Sequence, residues 1–406
     1  MTAFATHVTL CRPGDEALAL AELRERIPHG LRCPAAPEGV PAQGAGWVAW
    51  QPPPGTGVPP AGELAFERQR LPAAAFLPAD APGALAAALL RAATPRARTA
   101  PAPLVLQAFA ADPTGAHSVS RLAARLEQRL RTAWAEAGPP LSAGVAVPGG
   151  GVWQVCAVEG GVWWALAPSA ALADPHPGGV HRMARDAAAP SRSVLKILEA
   201  LEVLGRAPRP RERAIDLGAA PGGWSYAFLQ RGCRVLAVDN GPLKLPGLDA
   251  LPGELTHLRA DGLRLGPPQL PPEWLPVDWL LSDMLVAPGV CLGLLRKWIG
   301  SGWMRRFIVN VKLPQREPVV ALRPLRDYLG GVPGLSWRMR QLYHDRREVT
   351  VMGELAPAAV AAPTRARRAP RAQAPAPGAP RPPRPAPPPR RGAPAGKRRA
   401  PSRRRS

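Results

Sequence analysis

The run AIDLGAAPGGW at residues 214–224 constrains this chain more than any other stretch: an apolar segment carries a carboxylate, Asp216, at its end and passes straight into a glycine-rich turn. A dinucleotide-binding turn has the spacing G-x-G-x-x-G, whose glycines let a pyrophosphate sit against the following backbone. Here the spacing is Gly218, then Pro221, Gly222 and Gly223. That turn lets the backbone approach a bulky ligand closely without a pyrophosphate to cradle. Strand-like runs at 213–217, 234–239, 277–283 and 306–312 alternate with helical patterns. Such alternation predicts an α/β domain with a parallel sheet covered by helices on both faces. Ligands of such sheets bind beyond the carboxyl ends of the strands, and Asp216, Asp239, Asp283 and Lys312 each fall at such an end. Asp239 lies 23 residues beyond Asp216, where an acid would accept hydrogen bonds from a ribose. Asp261, at the next strand end, is placed to meet a nucleobase.

The 406 residues carry a formal charge of +22, unevenly spread. Residues 356–406 hold 14 Arg or Lys, 14 Pro and no Asp or Glu, so the rest of the chain is still net basic. This tail cannot bury enough apolar surface to fold and is expected to be disordered. A basic body with a more basic tail favours a polyanion as partner, because each Lys or Arg that meets a phosphate releases a counterion. Cys11, Cys33, Cys156, Cys233 and Cys291 are odd in number and never reach C-x-x-C spacing, which argues against a zinc site or a disulfide framework. No apolar run reaches the ~18 residues of a membrane span, and the first residues lack a signal-peptide core. A soluble, cytoplasmic protein is the expectation.

Changes of texture divide the chain into segments 1–95, 96–185, 186–355 and 356–406, with a proline-basic connector at 95–103 and an irregular stretch at 176–190. Residues 15–26 read as a helix after an N-terminal strand, and 46–51 as another strand. Residues 104–110 are strand-like, 118–135 carry apolar residues at helical spacing, and 152–166 read as two strands joined by a turn at Glu159. The mixture suits a small α+β module.

The run DLGAAPGGW at 216–224 resembles the S-adenosylmethionine loop of class I methyltransferases of the ribose 2′-O type, relatives of the heat-shock ribosomal RNA methyltransferase. With SRSVLK at 191–196, SDM at 282–284, NVKLP at 310–314 and QLYHDRREVTV at 341–351, the chain is similar more narrowly to the RlmM family of bacterial 23S ribosomal RNA cytidine 2′-O-methyltransferases. The resemblance covers roughly residues 186–354. It implies a Rossmann-like methyltransferase domain preceded by a THUMP-like RNA-binding module at 96–185, S-adenosyl-L-methionine as cofactor, 23S ribosomal RNA or its assembly precursor as partner, and no metal. The family's Lys-Asp-Lys-Glu pattern falls on Lys196, Asp283, Lys312 and Glu348, with Lys312 as general base. Its cofactor positions fall on Ser193, Ala220, Pro221, Gly222, Gly223, Asp239, Asp261 and Asp283.

A ribose hydroxyl is a weak nucleophile whose proton must leave as it attacks, so a positioned base agrees with that pattern. Other readings stand beside it. Lys196 by itself reads as a solvated helix residue near Glu199 and Glu202, Tyr343 and His344 as a packed, hydrogen-bonded pair, and the Trp163–Trp164 pair as core. Two rival functions remain: 2′-O-methylation of another RNA, and a ribosome-assembly or RNA-binding protein that keeps the fold without turnover. The second would have no need of two strand-end lysines around an aspartate.

Overall fold

The computed structural model describes residues 5–27, 30–31, 42–135 and 141–357. Cys33 and the expected disordered tail beyond residue 357 lie outside them. Near the N-terminus, β1 (His7–Leu10), α1 (Glu16–Arg26), β2 (Gln43–Gly44), β3 (Trp47–Trp50) and β4 (Gln69–Leu71) build a four-stranded sheet of order β2-β3-β1-β4, with α1 packed beside it. A second sheet follows, made from β5 (Ala75–Pro78), β6 (Leu104–Ala110), β7 (Leu141–Ala143), β8 (Gly151–Val158) and β9 (Gly161–Pro168) in the order β5-β9-β8-β6-β7. Helices α2 (Pro82–Ala97) and α3 (His117–Trp134) share one core with that sheet, filled by Leu89, Leu126, Leu130, Trp153 and Val155.

The expected boundary at 95/96 and the connector from Pro95 are corrected here, because α2 runs on through Pro95 to Ala97. Proline removes one intrahelical bond, but Leu85, Leu89, Ala93 and Ala97 recur every four residues and are all buried. That continuous stripe outweighs the break. Both β5 and α2 therefore belong with the second sheet, since β5 pairs antiparallel with β9. Trp163 and Trp164 are both core residues, at 4% exposure.

The third sheet comprises β10 (Arg213–Leu217), β11 (Arg234–Val238), β12 (Glu254–Leu258), β13 (Val277–Val286), β14 (Met304–Lys312), β15 (Leu335–Arg340) and β16 (Glu348–Leu355), in the order β12-β11-β10-β13-β14-β16-β15. The first five strands of that order are parallel, whereas β16 is antiparallel to both β14 and β15. Alternate residues of each strand feed opposite cores. Ile215, Leu217, Leu280 and Phe307 pack with Leu295 and Trp298 of α6 (Pro288–Gly300) and with Leu322 and Leu325 of α7 (Pro318–Gly330). Ala214, Val235, Trp279 and Ile308 pack on the other face, with Ile197 and Ala200 of α4 (Val194–Leu204) and Trp224 and Phe228 of α5 (Gly223–Leu229). Burial on both faces is why these strands read as unbroken apolar runs.

The first of those cores does not stop at the third sheet. Leu23, Ile27, Val48, Trp50 and Phe66 belong to the same cluster. At the contact of α1 with α7, the Glu22 carboxylate accepts the N–H groups of Ala65 and Phe66 at 2.9 Å each and the Arg326 guanidinium at 2.6 Å. The pair is nearly dry, with side chains 1% and 8% exposed. Residues from both ends of the described chain thus share one compact unit. No helix among the described residues is long and apolar enough to cross a membrane.

Candidate active site

Sequence neighbours part at β10: β11 lies on one side and β13 on the other, which is the switch point where open α/β sheets form their ligand crevice. The glycine turn occupies it. Gly218 has φ +74°, and a Cβ there would lie 2.1 Å from Met284 Cγ at the end of β13. Gly223 meets the Ser191 and Ser193 hydroxyls so closely that a Cβ would sit 2.5 Å from either oxygen. Those hydroxyls are bonded to each other at 2.7 Å, and Trp224 Nε1 donates to Ser193 O at 3.1 Å. The turn is thereby clamped between α4 and β13.

Asp239 serves the turn directly. One of its carboxylate oxygens accepts the Ala220 N–H at 3.0 Å and the other the Gly241 N–H at 2.6 Å, while Pro221 O accepts Lys244 N–H at 2.8 Å. Each carboxylate oxygen keeps a second lone pair for a ligand. Asp261 is exposed and caps its own turn through the Leu263 N–H at 2.9 Å.

Beneath the turn, Asp216 is 1% exposed; one oxygen accepts the Ser225 hydroxyl at 2.7 Å and the other has no partner. Burial pushes its carboxyl up to about 7. Because the folded pKa lies above the unfolded one, the folded chain holds the extra proton between about pH 4 and 7, and stability falls as pH rises through that window. A shift of about three units corresponds to ~4 kcal/mol once the group is ionised. Asp216→Asn should therefore gain on the parent chain in melting temperature as the buffer moves from about pH 4 to about pH 8. A constant difference between the two melting curves across that range would show that Asp216 does not titrate there.

The four residues expected to be catalytic come together on neighbouring elements. Lys196, from α4, places Nζ 2.6 Å from Glu348 Oε1 on β16 and 3.3 Å from Asp283 Oδ1 on β13. Burial works against the ammonium, yet the Asp283 and Glu348 carboxylates outweigh it and hold the Lys196 pKa above the ordinary lysine value. Asn310 Nδ2 donates to the same Asp283 oxygen at 2.6 Å, and Thr350 donates to Asn310 Oδ1 at 2.7 Å. Lys312 stands directly across from Glu348 in the β14–β16 register, as Asn310 does from Thr350. It is exposed and makes no ion pair or hydrogen bond with a described residue. One lysine is locked as a cation and the other is free.

Several residues behind this cluster were not singled out by sequence reasoning. Glu199 is 2% exposed, against the expectation of a solvated helix face, and accepts the Tyr343 and His344 N–H groups at 2.7 and 3.0 Å. Asp345 is 2% exposed; it accepts the Leu342 N–H at 2.9 Å and lies 2.9 Å from the Thr350 oxygen, whose single proton goes to Asn310, and burial drives its carboxyl well above the usual range. Tyr343 and His344 form the packed pair expected of them, with His344 Nε2 3.1 Å from His181 O. Asp174, His176 and His181 also gather, with each imidazole 3.0 Å from an Asp174 oxygen, Arg340 3.0 Å from that carboxylate, and Glu202 2.7 Å from His181 Nδ1. These contacts tie the segment after β9 to α4 and β15. Next to the lysine cluster opens a cavity of about 660 Å³ whose lining includes Lys196, Glu348 and Ser193 together with Arg68 and Thr114 from the first two sheets.

This arrangement agrees with two kinds of likeness. Residues 189–293 match the family of FtsJ-like methyltransferases. Ribosomal RNA large subunit methyltransferase M of Marinomonas sp. is 34% identical over 253 residues, which cover 59% of this chain and 69% of that relative. The proteins of the same name from Alkalilimnicola ehrlichii and Laribacter hongkongensis are 41% and 42% identical over 196 and 188 residues; in these cases the chain spans about half the relative's length, 51% in each. The chain belongs to the family of ribosomal RNA large subunit methyltransferase M.

Proposed function

We propose that the chain transfers a methyl group from S-adenosyl-L-methionine to the 2′-oxygen of a cytidine in 23S ribosomal RNA, with Lys312 as general base. The observation that carries this reading is the asymmetric pair of lysines: Lys196 is bound by two carboxylates, whereas the Lys312 side chain, across from Glu348, has no ion-pair partner among the described residues. The cofactor supplies an electrophilic methyl on a sulfonium. The residues at the switch point suit it, since Asp239 presents a carboxylate for a ribose diol beside the Gly218–Gly223 turn and close approach is secured at Gly223. Ser193, Asp261 and Asp283 complete the set assigned to it.

On the chain's side the steps are positional. Lys196 stays protonated and orients Asp283 and Glu348. Lys312 can accept the 2′-hydroxyl proton as the oxygen takes the methyl group, which an ammonium could not do. The five-stranded sheet with α2 and α3 is read as the RNA-binding module that delivers the strand.

The test is incubation of the purified chain with methyl-labelled S-adenosylmethionine and a 23S ribosomal RNA transcript, followed by nucleoside analysis. Label in 2′-O-methylcytidine is expected, and label on a base would overturn the reading. In the same preparation Asp239→Ala should weaken cofactor binding by about 1.5–3 kcal/mol, the range for hydrogen bonds to a charged group. Unchanged affinity by calorimetry would remove Asp239 from the cofactor site.

A further inference from the structure

Arg68 immediately precedes β4 and is 5% exposed, yet it lacks what every comparable guanidinium nearby possesses. Arg70, Arg326 and Arg340 are as deeply buried, and each is paired with a carboxylate, Glu67 at 2.6 Å, Glu22 at 2.6 Å and Asp174 at 3.0 Å. Arg68 makes no ion pair among the described residues. Its Nη2 donates to Ala111 O, and its Nε has no partner. Asp112 is near enough to favour the charged form but does not bond to it. The adjacent thiols of Cys11 and Cys156 are no substitute, since burial pushes both up, Cys156 to about 12, and leaves them neutral.

A desolvated charge without a counterion is costly to keep, and this one borders the 660 Å³ cavity shared with Lys196 and Glu348. Arg12 lines the same cavity from the N-terminal side and Arg192 from the start of α4, so cations stand on both sides of it, the second beside the lysine–carboxylate cluster. The guanidinium fork matches the geometry of a phosphate, the anion that every nucleotide of an RNA strand carries.

We propose that Arg68 binds a phosphodiester oxygen of the RNA strand next to the ribose being methylated, so that the N-terminal sheet sets the strand's position at a site built by the third sheet. This inference rests on the RNA-methyltransferase reading and extends it to a residue outside the methyltransferase segment. It explains why a buried cation faces the cavity: its counterion arrives with the substrate.

Arg68→Met tests it through two quantities that a structural role would move together and a binding role moves apart. Removing an unpaired buried charge should leave the melting temperature unchanged or raised. Affinity for a labelled 23S ribosomal RNA transcript should fall about 10–100-fold, with the slope of log affinity against log salt shallower by about 0.7–0.9, one phosphate contact. KM for RNA should rise more than kcat falls. Thr114, exposed on the same cavity, supplies a second variant that spares the buried residue. Thr114→Glu should weaken RNA binding at an unchanged melting temperature, by repelling the phosphate. Parent affinity and parent salt slope in either folded variant, with methyl transfer intact in the parent, would overturn this proposal alone. A parent chain that neither binds nor methylates the transcript would overturn the wider reading as well.

Discussion

Replacing Lys312 by arginine is expected to abolish methyl transfer while leaving the fold and cofactor binding as they are. The Lys312 side chain is exposed at the end of β14 and makes no ion pair with a described residue, and surface exchanges away from special features stay within about 0.5 kcal/mol. Guanidinium remains protonated at any working pH and cannot accept a hydroxyl proton. The rate should fall by at least the ~10²–10⁴ that general-base catalysis supplies, and Lys312→Ala should fall as far. Single-turnover transfer at saturating cofactor is the measurement. Near-parent turnover by the arginine variant would mean that Lys312 contributes only charge.

Lys196→Met should fail differently. Its ammonium is the cation facing both Asp283 and Glu348, whose side chains are only 23% and 5% exposed. Removing one partner of a buried ion pair typically destabilises by ~3–5 kcal/mol, because the other charge is left uncompensated. The loss should shrink in acid as Asp283, whose carboxyl burial holds above its usual range, takes up a proton. Lys196 itself adds no change in acid: its folded pKa is raised, so its contribution is complete below the unfolded lysine value and is lost only as pH rises through the folded one. Across the neutral range the parent keeps this contribution in full. Urea denaturation at about pH 5 and about pH 8, with transfer rates alongside, separates the two lysines: one variant is inactive and stable, the other inactive and unstable. A Lys196→Met protein as stable as the parent at both values would show that the cluster is not an ion-pair network.

The parallel half of the catalytic sheet was legible because its strands are buried on both faces and so read as unbroken apolar runs ending in Asp216, Asp239, Asp283 and Lys312. Nothing comparable marks β15, where exposed and buried residues mix in LSWRMR. Nor could pattern place β5, whose partner β9 lies more than 80 residues away in the chain. Glu199 shows the limit most clearly. At helical spacing it is one more charged residue of α4, and its burial depends on a segment contributed from residues 343–344. Lys196 was legible only through the resemblance, since its partners come from β13 and β16.

The Glu22–Arg326 contact gives the molecule a property that motif boundaries conceal. The FtsJ-like match begins at residue 189, yet α7, which packs against α6 under the third sheet, gives Arg326 to a carboxylate on the first helix of the chain. Cutting the chain where the likeness starts would strip the apolar cover supplied by Leu23, Trp50 and Phe66 and strand a guanidinium in the gap. The catalytic sheet is thus a unit of ancestry without being a unit of cooperativity.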